Sequence, residues 1–187
     1  MRKLSSFLQV SLDGYFAYAD GGLGWAKANQ DAEFQEFVEG NAQGGGQLVF
    51  GRVTYEMMAS YWPTPLAAQQ NPVVAERMNS LPKIVFTRTL DKTSWSNTQR
   101  IRDDLATAVR ALKQQAGPNL AILGSGSLVA QLAEQRLIDE LQFVVNPVVL
   151  GRGRRVFDGL GDHLPFKLAR SRTFGNGSVF LCYQPVV

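Results

Sequence analysis

An α/β fold with a central mixed, mostly parallel sheet and helices on both faces is predicted by three features of the sequence. Short apolar runs alternate with amphipathic stretches of helical period along most of the 187 residues. Two of those runs, at residues 47–50 and 120–123, end in glycine and lead directly into a helical pattern. Near the C-terminus two further runs flank Gly175-Asn176-Gly177, and the Asn-Gly step is a strong hairpin signal. The length fits one compact domain spanning 1–187, and no repeat or low-complexity segment divides it.

Taken in order, residues 3–12 predict a strand with Leu4, Phe7, Leu8 and Val10 available for burial, ending at Ser11-Leu12-Asp13-Gly14. Residues 19–26 form a glycine-rich loop carrying Trp25, suited to act as a lid or simply tied down by that ring. Residues 31–38 read as a helix with Phe34, Phe37 and Val38 on one face, Asp31 and Glu33 in its first turn, and a break at residues 43–46. A buried strand at 47–50 follows, then the helix begun by Gly51-Arg52-Val53-Thr54-Tyr55-Glu56. Residues 61–65 read as a rigid aromatic loop and 71–80 as a helix that tolerates Pro72 at its start. Strands are expected at 83–86, ending in Thr87-Arg88, and at 93–96. Residues 103–113 form an amphipathic helix with a stripe of Leu105, Ala108, Val109 and Leu112, stopped by Gly117-Pro118. A strand at 138–145 and two more at 167–174 and 178–184 complete the series.

The chemistry concentrates where strands meet helices. At Gly124-Ser125-Gly126-Ser127-Leu128 the glycines let a ligand approach the backbone, and the first N–H groups of the next helix point outward, an arrangement suited to phosphate. A turn capped by Ser127 with no ligand is the alternative. Gly51-Arg52-Val53-Thr54 is a second such corner with an arginine able to fork two hydrogen bonds to a phosphate, and Thr87-Arg88 is a third strand end with a hydroxyl and a cation. Neither a Walker loop nor the dinucleotide fingerprint is present: the third glycine is replaced by Val129, and the next apolar run ends in Asn146. Asp13 stands at a strand end, where it either faces a ligand or closes the turn with Gly14. Arg152, Arg154 and Arg155 form a basic cluster read as a solvated loop.

Composition narrows the function classes. A net charge of +3, with 45% hydrophobic and 19% charged residues, describes an ordinary globular protein and gives no support for nucleic-acid binding. One cysteine, Cys182, rules out an intrachain disulfide framework, and with a single histidine, His163, the chain lacks the usual zinc ligand set, so no metal is expected. The first seven residues lack the apolar core of a signal peptide, and no run reaches the roughly 18 apolar residues that span a bilayer. The cytoplasm is the expected compartment, with no membrane partner.

Several of these stretches together resemble the dihydrofolate-reductase-like superfamily and, within it, the C-terminal reductase domain of RibD-type riboflavin-biosynthesis proteins. The resemblance covers almost the whole chain. It is carried by Ser11-Leu12-Asp13-Gly14, by Gly51-Arg52-Val53-Thr54-Tyr55-Glu56 and by Gly124-Ser125-Gly126-Ser127-Leu128. Leu137-Ile138-Asp139-Glu140-Leu141, Asn146-Pro147-Val148-Val149-Leu150-Gly151 and Val156-Phe157 continue it in the same order. It implies a three-layer fold, NADPH as cofactor, hydride transfer to a small heterocycle and a homodimer. By this resemblance Gly51, Arg52, Val53, Thr54, Thr87 and Arg88 hold the adenosine phosphate end. Gly124, Ser125, Gly126, Ser127 and Leu128 hold the pyrophosphate and nicotinamide side. Trp25, Phe34 and Tyr55 face the substrate, and Asp31, Glu33 or Asp13 supplies or relays the proton. The implied activity resembles 5-amino-6-(5-phosphoribosylamino)uracil reductase. The alternatives are a dihydrofolate or pterin reductase and a non-catalytic nucleotide- or nucleic-acid-binding protein. Tyr55-Glu56-Met57-Met58 departs from the Ala-Asp-Asp-Pro-like segment of RibD reductases, which leaves the substrate open.

Overall fold

The computed structural model describes residues 1–27, 31–44 and 46–186; of the expected helix break at 43–46, Gly45 lies outside them. The chain runs β1 (Leu4–Ser11), β2 (Tyr15–Ala17), a 3₁₀ turn (Gly24–Lys27), α1 (Ala32–Gln43), β3 (Gln47–Gly51), α2 (Arg52–Tyr61), α3 (Pro65–Gln70) and α4 (Pro72–Ser80). It continues with β4 (Lys83–Phe86), β5 (Thr98–Ile101), α5 (Leu105–Gln114), β6 (Leu120–Leu123), α6 (Gly126–Glu134), β7 (Glu140–Asn146), β8 (Arg154–Arg155), β9 (Phe166–Thr173) and β10 (Val179–Pro185). Eight strands form one sheet in the order β5-β4-β3-β6-β1-β7-β10-β9, and β2 pairs with β8 in a separate ribbon. Within the eight-stranded sheet every described pair from β5 to β7 is parallel, and β7–β10 and β10–β9 are antiparallel. The expected mixed, mostly parallel sheet and C-terminal hairpin are therefore present.

The burial pattern explains the layers. All four residues of β4 and the three at the centre of β3 are buried, because parallel strands in the middle of a sheet are covered on both faces. On one face Leu4, Leu8, Val49, Ile84 and Ile122 meet the apolar stripes of α5 (Ala108, Val109, Leu112) and α6 (Leu128, Val129, Leu132). On the other, Leu48, Phe50 and Val85 meet Tyr55 of α2 and Val74 and Met78 of α4. Beside them α1 seats Phe34 against Val144, Phe174 and Phe180. Phe34 and Phe174 meet edge to face with ring centroids 5.3 Å apart.

Three local readings are corrected. The strand expected at 93–96 lies instead at Thr98–Ile101, because Trp95 turns into the core against Phe50 and Tyr55. Residues 65–70, read partly as loop, form α3, whose Thr64 side chain accepts from the Ala67 N–H with Pro65 at the first helical position. Ser127 does not cap α6. Ser125 occupies the N-cap position in the left-handed region (φ 55°), and its side chain makes no capping bond. No described helix is long and apolar enough to cross a membrane.

Candidate active site

The strand order places β6 between β3 and β1, although the chain visits β3, β4 and β5 first. Their carboxyl ends therefore open side by side at a reversal of strand order, where open α/β sheets bind ligands. Gly51-Arg52 leaves β3 and Gly124-Ser125 leaves β6 at this point. The two corners are tied reciprocally. The Ser125 N–H donates to Thr54 Oγ1 at 3.1 Å, and the Gly51 N–H donates to Ser125 Oγ at 2.9 Å. These bonds hold Ser125 in its left-handed conformation, which costs a non-glycine residue about 1–3 kcal/mol. They also engage the hydroxyls of Thr54 and Ser125, two residues expected at the cofactor. Gly124 has φ +59°, and a Cβ there would stand 3.1 Å from Thr54 Cγ2. Glycine is required at Gly126 for a different reason, because the Phe16 ring of β2 lies 2.6 Å from the position of a Cβ.

A cavity of about 1000 Å³ opens at these corners, lined by Val53, Thr54 and the whole stretch Gly124 to Ser127. It runs on past Phe16 and Trp25 and beneath α1 to the polar side chains of Glu140 and Gln142. A second cavity of about 400 Å³ is lined by Arg52, Thr87, Arg88, Arg102 and Leu128. Gln131 of α6 borders both, so the two spaces flank one helix. Arg52 and Arg88 converge because β3 and β4 are paired, with Gly51 opposite Phe86. Arg102, which the sequence reading missed, joins them from the end of β5. Arg52 is engaged by Glu56 at 2.8 Å and Arg102 by Asp91 at 3.4 Å, while Arg88 forms no ion pair among the described residues.

The structure redistributes the expected acids. None of Asp13, Asp31 and Glu33 lines the cavity that holds Trp25. Asp13 accepts from Ser11 Oγ at 2.6 Å and from the Leu150 and Gly151 N–H groups at 3.1 and 2.7 Å. The Ser11 bond first, then the two backbone bonds, hold its carboxyl down at about 2. Asp31 caps α1 by accepting from the Phe34 N–H at 2.8 Å. Glu33 ties α1 to the hairpin, accepting from the Gly175 N–H at 3.0 Å and from Arg172 at 2.9 Å, and both bonds lower its pKa. Phe34 and Tyr55, expected near substrate, are 1% exposed and line neither cavity. Tyr55 Oη accepts from the Trp95 N–H at 2.9 Å and fixes α2 against the sheet. Gly51 likewise lines neither cavity and serves through its N–H.

Trp25 does line the main cavity, and its indole N–H is buried without an acceptor among the described residues. The carboxylates that reach the cavity are Glu140 and Asp158. Glu140 is on β7, opposite Ser5 of β1, with Gln142 two residues on and facing the same side. Its oxygens accept from Gln142 Nε2 at 3.1 Å, Gln184 Nε2 at 3.3 Å and Arg170 Nη2 at 3.4 Å. Burial pushes this carboxyl up, but the two amides and the guanidinium outweigh it and hold the pKa below the ordinary glutamate range. Glu140 is therefore an ionised acceptor at neutral pH. A sequence signal existed for it: Glu140 and Gln142 stand at alternate positions of a strand whose other face, Leu141, Phe143 and Val145, is wholly apolar.

A model of the RibD C-terminal domain family matches residues 2–180. The uncharacterised protein YyaP of Bacillus subtilis is 26% identical over 183 residues, covering 98% of this chain and 95% of its own. Among solved structures, a putative riboflavin biosynthesis protein from Shewanella sp. PV-4 aligns with TM-score 0.75 at 23% identity over 99% of both chains. Dihydrofolate reductase from Enterococcus faecalis, solved with NADP(H), aligns with TM-score 0.64 at 14% identity over 98% of this chain and 96% of its own.

Proposed function

The chain belongs to the RibD C-terminal domain family, and from that premise we propose that it is an NADPH-dependent reductase of a small heterocyclic substrate. The observation that carries the reading is the junction of the two cavities: a glycine corner at the start of α6 opens into one, and three arginines with Thr87 surround the other. A dinucleotide phosphate has that same division, with a diphosphate bridge in the middle and a 2′-phosphate on one ribose. The residues present fit such a group. Gly124 and Gly126 let the corner close against Thr54 and Phe16, and the Gly126 and Ser127 N–H groups at the start of α6 precede that helix's own hydrogen-bond ladder. Arg52, Arg88 and Arg102 supply the positive charge that a 2′-phosphate requires.

When bound, the nicotinamide supplies a hydride. The chain's own residues hold and orient the acceptor. Trp25 offers an unsatisfied N–H, and burying it unpaired costs about 1–3 kcal/mol. A carbonyl or ring nitrogen on the substrate removes that cost once the indole turns its N–H into the cavity it lines. Glu140, ionised, accepts from an N–H on the heterocycle rather than donating a proton, and Gln142 beside it presents an amide oxygen. This pattern of one donor and two acceptors supports a nitrogen-rich ring. The test is a fluorescence titration with NADPH, since Trp25 and Trp62 both line the cavity. Energy transfer from tryptophan to the nicotinamide is expected, with NADH bound more weakly. No binding of either dinucleotide at millimolar concentration rejects the proposal.

A further inference from the structure

The arginines of β8 face the same cavity from a side that the reductase reading leaves unused. Arg154 and Arg155 line it together with the Gly124–Ser127 corner. They are not free loop charges. β8 pairs antiparallel with β2, Tyr15 opposite Arg155 and Ala17 opposite Arg154. The Arg155 guanidinium lies 4.7 Å from the Tyr15 ring centroid. Arg154 Nε donates to the Ala19 carbonyl at 3.2 Å, which leaves its terminal N–H groups for another acceptor. Gly21, with φ +91°, turns the chain beside that guanidinium, where a Cβ would stand in ordinary contact at 3.7 Å. Gly153 lets the ribbon close, because a Cβ would come within 2.3 Å of the Ala17 carbonyl oxygen. β2 in turn rests on the glycine corner through Phe16. The ribbon thus carries two oriented guanidinium groups beside the start of α6. Neither forms an ion pair among the described residues, and Asp158 is the carboxylate that shares this wall.

We propose that Arg154 and Arg155 form a diphosphate clamp, closing over the bridge of the bound dinucleotide opposite the Gly124–Ser127 corner. This rests on the dinucleotide reading above and adds to it a role for residues outside the strand–helix corners. The division of labour is chemical. Arg52, Arg88 and Arg102 meet a group that only NADPH carries, whereas Arg154 and Arg155 meet one that NADPH and NADH share.

The experiment measures the dissociation constants of NADPH, NADH and inorganic pyrophosphate for the wild type, Arg154→Gln, Arg155→Gln and the double variant. Both side chains are exposed, so the substitutions leave the core intact. Each single variant is expected to lose about tenfold for NADPH and NADH alike, with the ratio between the two unchanged. Pyrophosphate binding should weaken in parallel. Unchanged affinity for all three ligands, or a loss confined to NADPH, overturns the clamp while leaving the cofactor reading in place. A wild type that binds neither dinucleotide, yet binds pyrophosphate in an Arg154- and Arg155-dependent way, rejects the reductase reading and keeps the anion site. If the wild type binds none of the three, both fall.

Discussion

Replacing Arg88 with alanine should erode the preference for NADPH over NADH more than replacing either neighbouring arginine. Three guanidinium groups border the second cavity, but they are not equally available. Arg52 is held by Glu56 at 2.8 Å, with both side chains a little under half exposed, and Arg102 by Asp91 at 3.4 Å. Among the described residues Arg88 has no such pair; Asp104 acts on it through a longer-range charge interaction. A hydrogen bond to a charged group contributes about 1.5–3 kcal/mol, and an exposed ion pair about 0–1 kcal/mol. Arg88 therefore contributes its full share to a 2′-phosphate, about ten- to a hundredfold in affinity. Arg52 must first release Glu56, so its net share falls to about 0.5–3 kcal/mol, a loss on Arg52→Ala starting near twofold. Glu56→Gln should act in the opposite direction, tightening NADPH by freeing Arg52. The assay is isothermal titration or tryptophan fluorescence with both cofactors. NADH affinity should barely change in any of the three variants. Equal losses for NADPH and NADH, or no loss for either in Arg88→Ala, refute the assignment of this cavity to the 2′-phosphate.

Three further outcomes follow from the contacts. Gly126→Ala forces a methyl group against the Phe16 ring and should destabilise the fold by about 1–3 kcal/mol, read as a lower melting temperature. Adding Phe16→Leu should recover part of that loss, and no recovery would remove Phe16 as its cause. Asp13 has a folded pKa of about 2 against an unfolded value near the usual ~3.9, so its contribution to stability is present above the unfolded value and lost as pH falls through the folded one. The melting-temperature gap between wild type and Asp13→Asn should thus stay constant from neutral pH to about 5 and close toward 2; a gap that is the same at every pH counts against the hydrogen-bond explanation. Glu140→Gln removes the charge that Arg170, Gln142 and Gln184 surround, and should cost about 1–3 kcal/mol while NADPH affinity stays unchanged. It should also raise KM for the heterocycle, and a variant that loses NADPH affinity as strongly would place Glu140 at the cofactor instead.

How far the sequence reveals the molecule depends on what each segment has to satisfy. The central strands were legible because burial on both faces demands an unbroken apolar run, as in Lys83–Phe86, where even the lysine is buried beneath Trp95. The hairpin was legible because its turn chemistry is local. β5 was not: it lies at the sheet edge with Gln99 and Arg100 exposed, so it shows no apolar alternation, and the neighbouring Trp95 drew the strand reading toward itself. β8 has two residues, both arginines, and its pairing depends on Gly153 lying against a carbonyl 136 positions away, which no local window reveals.

The site divides along the same line. The glycine corners were found because backbone geometry restricts the residue types allowed there. The acids were misplaced for a related physical reason. Asp13 follows the end of a strand, Asp31 precedes a helix, and Glu33 lies in a first turn opposite a hairpin. At each place backbone N–H groups lack partners, and a nearby carboxylate is taken up by them: Leu150 and Gly151, Phe34, and Gly175. A carboxylate on a residue already paired in the sheet, even one at the start of its strand, meets no such demand, because the ladder uses the backbone donors around it. Only side chains or a ligand are left to satisfy it. Glu140 stands in that position, opposite Ser5 on a parallel pair, gathers two amides and a guanidinium, and borders the cavity beneath α1. On the proposed reading, an acid that secondary structure does not need is the one left to meet a substrate.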